Sequence, residues 1–193
     1  MDAVTKLDLK VLVITDKSQV FSEYFPEKVI TINFEQWQES IENIRAWSVK
    51  FDLKAVIGVD EESIILAANL SEFLGIKHNS LESVKLTKDK YLMRKALKDS
   101  GLKSPWFKRF SVNETPKDIV TEISFPCVLK PTFLSASQGV IRADNVSEFC
   151  ISFEILSGLL SQEEMKIQGG DQANWILVEE YISGKEVSIE GIV

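Results

Sequence analysis

Short apolar runs alternate with amphipathic segments over residues 1–83. Apolar runs predict buried strands, whereas apolar positions three or four residues apart predict helices that bury one face. This alternation predicts a parallel sheet with helices packed on its faces. The predicted strands are Lys10–Thr15, Val29–Asn33 and Leu53–Val59, and the predicted helices are Glu35–Val49 and Glu61–Leu74, the second ended by Gly75.

A different pattern surrounds Lys130. Residues Phe125–Leu129 form an apolar run typical of a strand buried on both faces, so Lys130 lies at the end of a buried element. Its ammonium either needs an anion or reaches water along its aliphatic stem. Pro131 ends the strand, and the loop that follows is either an ordinary polar turn or a set of backbone N–H donors for phosphate. The small residues of this loop are Ser135, Ala136, Ser137 and Gly139.

A second predicted strand runs from Trp175 into two adjacent carboxylates, Glu179 and Glu180. Strand geometry sends these two side chains to opposite faces. A backbone passing an adenine edge could offer the carbonyl of Glu180 and the amide of Ile182, with Glu186 accepting from ribose hydroxyls. The alternative is an amphipathic hairpin that turns at Ser183 and Gly184 and carries solvated charges.

Residues 83–105 predict a basic helix that is closed by Gly101 and Pro105. This stretch is either a solvated helix face or the source of a lysine that points at phosphate from the side opposite Lys130. Its apolar positions are Leu86, Tyr91, Met93, Ala96 and Leu97, and its basic ones are Lys88, Lys90, Arg94, Lys95 and Lys98.

Three segments in this order resemble the ATP-grasp superfamily, within it the carboxylate–amine ligase branch. They are DKYLMRKALKDSGLKSP (residues 89–105), FPCVLKPTFLSASQGVIRADN (125–145) and ILVEEYISGKEVSIEG (176–191). The resemblance implies that Lys90 and Lys130 contact the phosphates of ATP and that Lys130 is catalytic. It also implies that the loop with Ser135, Ser137 and Gly139 folds over the phosphates. The adenine hinge would be Glu179, Glu180 and Ile182, with Glu186 on the ribose.

The chain departs from the family in two places. Many members have consecutive glycines in the phosphate loop, whereas here Gly139 stands among serines and alanine, which predicts a stiffer loop. The family also continues past the position of Val193 with a lobe that carries the magnesium ligands. We therefore expect those ligands beyond Val193 and interpret the chain as an N-terminal fragment or a truncated chain.

The resulting expectation is an α/β protein of two domains. Residues 1–83 would form a Rossmann-like domain with a parallel sheet, and residues 84–193 the first part of an α+β ATP-grasp domain without its C-terminal lobe. The first strand lacks a following G-x-G-x-x-G, so a redox dinucleotide is not expected.

The resemblance implies an ATP- and magnesium-dependent ligase that joins a carboxylate to an amine through an acyl phosphate. Both substrates would be small molecules, amino acids among them, and a homodimer is plausible. Two alternatives stay open: a nucleotide-binding module or truncated protein without turnover, and an ATP-grasp kinase.

Composition narrows the class of protein. The chain has 193 residues, of which 45% are hydrophobic, and a net charge of −7, which argues against nucleic acid as a partner. It contains no apolar run of the roughly 20 residues that a membrane span needs and no signal-peptide pattern at its start. We therefore expect a cytoplasmic protein in which Cys127 and Cys150 are reduced.

Asp60 and Glu61 follow the predicted strand that ends at Val59, where ligands of parallel sheets bind. They could pair with an amino group of a substrate, or Asp60 could cap the next helix. His78 is the single histidine, which excludes a histidine-rich metal site and favours a packing or capping role.

Overall fold

Two hydrophobic cores form along the chain, one in each of two units, Met1–Val84 and Lys85–Val193. The structure is a computed structural model that describes residues 6–17, 28–60 and 63–188. It is a mixed α/β structure, in which one small sheet is parallel and a larger one is antiparallel.

The first unit contains a parallel pair of short strands. Strand β1 (Val13–Thr15) pairs with β2 (Val29–Thr31), with Val13 opposite Val29. A 3-10 turn (Trp37–Ser40) leads into helix α1 (Ile41–Phe51), and helix α2 (Ser63–Leu74) follows. The buried core residues of this unit are Ile32, Ile44, Leu66 and Leu70. The parallel pairing predicted from the strand and helix pattern is therefore confirmed for these two strands.

Two predictions for this unit are wrong. Residues 53–59 form no strand, because Ile57 and Val59 are 68% and 89% exposed and the two-sided burial that the apolar run predicted is absent. The α-helix predicted from Glu35 starts later, since residues 37–40 adopt a 3-10 turn before α1 begins at Ile41. The end of α2 is as predicted, because Gly75 adopts the left-handed φ of 68° that closes a helix. Glu61 lies outside the described residues.

A four-stranded antiparallel sheet organises the second unit. Its order is β3 (Phe107–Ser111), β6 (Trp175–Glu180), β4 (Cys127–Pro131), β5 (Ile141–Ala143). Helix α5 (Pro116–Ile119) and a 3-10 turn (Val120–Glu122) precede β4, while α6 (Val146–Leu160), α7 (Glu163–Gly169) and a second 3-10 turn (Gly170–Asn174) precede β6. The two predicted strands at 125–129 and 175–178 are thus present, shifted or extended by two residues.

One face of this sheet forms the core of the second unit. Alternate residues of the strands point to that face and pack against buried aromatic and aliphatic residues of α6. The core residues from the strands include Phe110, Leu129, Ile176 and Val178, and those from α6 include Phe149, Phe153, Leu156 and Leu160. The other face carries Lys130, Glu179 and the buried Leu177.

The basic segment forms two helices instead of the single predicted one. Helix α3 (Leu81–Lys88) ends just before Asp89, which has extended backbone angles and caps helix α4 (Lys90–Asp99). The Asp89 carboxylate accepts from the backbone N–H groups of Tyr91 and Leu92, at 2.8 and 3.1 Å, and from the side chain of Gln172 at 2.9 Å. Because Asp89 satisfies the first N–H groups of α4, the helix has a fixed starting point.

Candidate functional site

Strand β4 delivers Lys130 to the sheet face opposite α6. Val128 lies opposite Glu179 in the pairing of β4 with β6, so Lys130, two residues on, shares the face of Glu179 and sits diagonal to it. The Lys130 side chain is 17% exposed and that of Glu179 is 5% exposed. Lys130 therefore lies near the end of a buried strand, as predicted.

The carboxylate of Glu179 holds two cations. Its Oε2 lies 2.5 Å from Nζ of Lys130. Arg94 of α4 donates from Nε to Oε1 at 2.8 Å and from Nη2 to Oε2 at 3.3 Å. Such a fork of two parallel bonds is the strongest geometry available to an arginine and a carboxylate. We call Arg94, Glu179 and Lys130 the charge cluster.

The charge cluster keeps Glu179 ionised. Burial by itself would raise the pKa of Glu179, because it penalises the charged form, but hydrogen bonds from Arg94 and Lys130 and their positive charges outweigh burial and lower that pKa. Two cations and one carboxylate leave a net charge of +1 on a partly buried cluster. An anionic ligand would balance this charge.

Lys90 reaches the loop that follows β4. It is the first residue of α4, its backbone N–H donates to the carbonyl of Thr132 at 2.9 Å, and its Nζ donates to the carbonyl of Leu134. Lys90 and Arg94 are four residues apart on α4 and so lie on the same helix face. The structure therefore brings the start of α4, the end of β4 and the loop together.

The loop from Ser135 to Gly139 is anchored at its end and exposed at its tip. Backbone bonds from Gln138 to the Ser135 carbonyl (3.0 Å) and from Val140 to the Ser137 carbonyl (3.3 Å) form two successive turns. Ala136, Ser137 and Gly139 have φ values of 50°, 60° and 69°. A Cβ at Gly139 would lie 2.9 Å from the ring of Pro131, so the loop returns onto the end of β4. Ser135 and Ser137 are exposed.

The predicted hinge lies at the end of β6. The backbone N–H of Glu180 donates to Trp106 and that of Tyr181 to Pro126, at 2.9 and 3.1 Å, so the chain is fixed as the strand ends. The side chain of Glu180 is exposed, Ile182 is 68% exposed, and Glu186 is exposed. Glu179 points to the other face and pairs with cations. The hinge roles of Glu179, Glu180 and Ile182 and the ribose role of Glu186 stay predictions.

Sequence reasoning assigned no site role to Arg94 and gave the side chain of Glu179 no cation partner. The available signal was the four-residue spacing of Lys90 and Arg94, which places both on one face of α4. The contact itself joins residues 85 positions apart and has no local signature.

Magnesium does not fit the side chains that the structure describes. The carboxylate of Glu179 is already bound by Arg94 and Lys130. No group of three or more histidine, cysteine, aspartate or glutamate side chains able to hold a metal ion occurs among residues 6–17, 28–60 and 63–188. The expectation of ligands beyond Val193 stays a prediction.

The other two candidate site residues, Asp60 and His78, lie in the first unit. Asp60 accepts from the backbone N–H of Ser63 at 2.7 Å, the contact of a helix cap, which supports the capping interpretation over a substrate contact. His78 is exposed, and its Nδ1 lies 2.6 Å from the carbonyl of Asn79.

In the part of the chain that the structure describes, no helix has the length and apolar character needed to cross a membrane.

Residues 123–193 match the family model of the ATP-grasp domain. The chain is similar to an alanine–anticapsin ligase of Bacillus subtilis strain 168, with 26% identity over 169 residues. That match covers 81% of this chain and 35% of the relative, so the chain spans about a third of that ligase's length.

Solved structures share the fold. The L-amino acid ligase of Bacillus licheniformis aligns with a TM-score of 0.66 and 22% identity over 95% of this chain and 43% of that one. The biotin carboxylase domain of the Hydrogenobacter thermophilus 2-oxoglutarate carboxylase, solved as a dimer with MgADP, aligns with a TM-score of 0.59 and 16% identity over 94% of this chain and 41% of that one. The resemblance to the ATP-grasp superfamily predicted from the sequence is therefore confirmed by the domain match over residues 123–193 and by the similar ligase.

Proposed function

We propose that this chain forms the phosphate-binding half of an ATP-dependent ligase that joins a carboxylate to an amine. The observation that carries the proposal is the net positive charge cluster of Arg94, Glu179 and Lys130 on one sheet face. Lys90, on the same helix face as Arg94, bonds to the carbonyl of Leu134, the residue just before the loop at Ser135–Gly139. The similarity to an alanine–anticapsin ligase supports the type of reaction.

The chemistry needs an activated carboxylate, because a free carboxylate has a poor leaving group. A carboxylate oxygen of the first substrate attacks the γ-phosphorus of ATP, the bond to the bridging oxygen breaks, and ADP leaves. The amine nitrogen of the second substrate then attacks the acyl carbon, the bond to phosphate breaks, and inorganic phosphate leaves while the nitrogen releases a proton to solvent. Phosphoryl transfer of this kind depends chiefly on positioning and on charge stabilisation.

The residues of this chain serve the first step. In this proposal the ammonium groups of Lys130 and Lys90 bind phosphate oxygens and stabilise the charge that shifts to the bridging oxygen. Backbone N–H groups of the loop at Ser135–Gly139 add donors. The backbone of Glu180 and Ile182 would hold the adenine, and Glu186 the ribose, so that the triphosphate extends toward Lys130.

The proposal also covers the substrates, the oligomeric state and the location of the protein in the cell. Amino acids are the proposed carboxylate and amine, in line with the names of the similar ligases. A homodimer is proposed by comparison with the dimeric biotin carboxylase domain. The proposed place is the cytoplasm, where ATP is available.

The test is an assay of phosphate release with ATP and a panel of amino acids, supplied singly and in pairs. The proposal predicts phosphate release that requires both a carboxylate and an amine, together with an amide product in the mass spectrum. Accumulation of a phosphorylated substrate without an amine requirement would instead identify a kinase. Binding of ATP without any turnover would identify a non-catalytic nucleotide-binding module.

A further inference from the structure

The charge cluster contains one more cation than a simple lysine–glutamate pair. Lys130 alone with Glu179 would be a neutral buried pair, since Glu179 lies 2.5 Å from its ammonium. The second cation comes from a different element, helix α4, and occupies both oxygens of the carboxylate. The carboxylate therefore divides its charge between two partners.

The geometry points to Arg94 as a positioning residue for nucleotide binding: by taking up the charge of Glu179, it leaves the Lys130 ammonium as net positive charge for the phosphates. This inference rests on the proposed function and adds a residue to it. Arg94 acts through Glu179 and need not touch the nucleotide.

Burial strengthens the ion pairs of the charge cluster. The Arg94 and Lys130 side chains are 23% and 17% exposed, and Glu179 is 5% exposed, so solvent screens their interaction less than at an open surface. Lys130 also has three N–H donors, of which Glu179 needs one. The remaining donors face a ligand only if the lysine is held in place, and Glu179 does this.

The arrangement predicts how binding depends on net charge. Wild type has a net charge of +1 at the cluster, Arg94→Met has 0, and the double variant Arg94→Met/Glu179→Gln has +1 again. A unit charge near a partly buried anion site is worth about a factor of ten in affinity. Arg94→Met should therefore weaken ATP binding about tenfold. Addition of Glu179→Gln should then restore the affinity to within about threefold of wild type.

The experiment is calorimetric titration of ATP into wild type, Arg94→Met, Arg94→Lys and the double variant. Arg94→Lys keeps the charge and should bind within about threefold of wild type. Lys95→Met, which removes an exposed charge from the same helix, is the matched control and should bind like wild type. Thermal unfolding of each variant shows whether it is folded at the titration temperature.

Two results among the variants would overturn the inference. Unchanged affinity in Arg94→Met would show that Glu179 does not neutralise Lys130. A double variant as weak as Arg94→Met, or weaker, would mean that Arg94 touches phosphate itself or only supports the fold. In the double variant the amide oxygen at position 179 can still accept a hydrogen bond from the Lys130 ammonium, so this variant gives a readable result even if Arg94→Met folds poorly.

Inorganic tripolyphosphate separates this inference from the proposed function, because it contains the phosphates without adenosine. If wild type binds tripolyphosphate with the same loss and recovery among variants but does not bind ATP, the proposed ATP-dependent function fails, whereas the effect of Arg94 on the binding of phosphate groups by Lys130 stands. If wild type binds neither anion, both are overturned.

Discussion

Lys130 and Glu179 lie on neighbouring antiparallel strands, two positions out of direct register, and their charged ends meet at 2.5 Å. Each group would be costly in this setting without the other, because a buried charge loses the solvation of water. The pair explains how an apolar strand can end in a lysine without exposing it. The loop at Ser135–Gly139 returns onto Pro131, the residue that follows Lys130 in the chain.

The first prediction concerns loss of the Lys130 ammonium. Lys130→Met keeps a side chain of similar length and removes the charge, so transition-state stabilisation should fall by roughly 2–4 kcal/mol, as when single preorganised donors are removed from other enzymes. The measurement is kcat/KM for amine-dependent phosphate release. Lys95→Met is the control and should keep its activity, since Lys95 is exposed on α4. Normal ligation by Lys130→Met would refute the assignment.

The second prediction follows from the lowered pKa of Glu179. A carboxyl group whose pKa is lower in the folded than in the unfolded state stabilises the fold above the unfolded value of about 4.3, and that contribution disappears as the pH falls through the lower folded pKa. The free energy of unfolding in urea should therefore differ most between wild type and Glu179→Gln at neutral pH. The difference should shrink on acidification below about pH 4.

Glu154→Gln is the matched control for this titration. Glu154 is an exposed carboxylate on α6, so its removal should leave the pH dependence of unfolding as in wild type. A difference between wild type and Glu179→Gln that stays constant from neutral to acidic pH would contradict the ionic role of Glu179.

The third prediction uses two glycines. Gly139 has a φ of 69°, and a Cβ there would meet the ring of Pro131 at 2.9 Å, whereas a Cβ at Gly158 in α6 would have no atom within 4 Å. Gly139→Ala should lower the free energy of unfolding by about 2 kcal/mol. Gly158→Ala should raise it by about 0.5–1 kcal/mol, because alanine favours the helix. Equal effects of the two substitutions in urea unfolding would show that the loop is not anchored at Gly139.

The fourth prediction concerns thiol reactivity. Cys127 is 0% exposed, and burial, aided by the negative charge of Asp144, raises its pKa to about 11. Since the thiolate is the reactive form, Cys127 should not react with a disulfide reagent at pH near 8 in the folded protein. A Cys150→Ser variant should then show no reactive thiol until urea unfolds it. Rapid labelling of that variant in buffer would contradict the buried position of Cys127.

Local patterns were sufficient for several elements and for the position of Lys130. The apolar runs before Lys130 and Glu179 predict strands because each is buried on both faces, and β4 and β6 are those strands. Glu179 and Glu180 point to opposite faces as the two-residue period requires, one buried and one exposed.

Other features depend on contacts that a local pattern does not contain. Residues 53–59 have the composition of a strand, but a strand needs a partner and cover, and Ile57 and Val59 are exposed instead. The break at Asp89 depends on a cap that Gln172 supports from 83 positions away. The pairing of Arg94 with Glu179 also joins distant parts of the chain. No role for Arg94 could therefore be predicted from the local sequence pattern.

The most direct test of the central claim compares ATP with adenosine as ligands of wild type, Lys90→Met and Lys130→Met, by calorimetric titration. If both lysines bind the triphosphate, each variant should bind ATP at least about tenfold more weakly while its affinity for adenosine stays unchanged. ATP affinity that is unaffected by either substitution, or an equal loss for adenosine, would contradict the account.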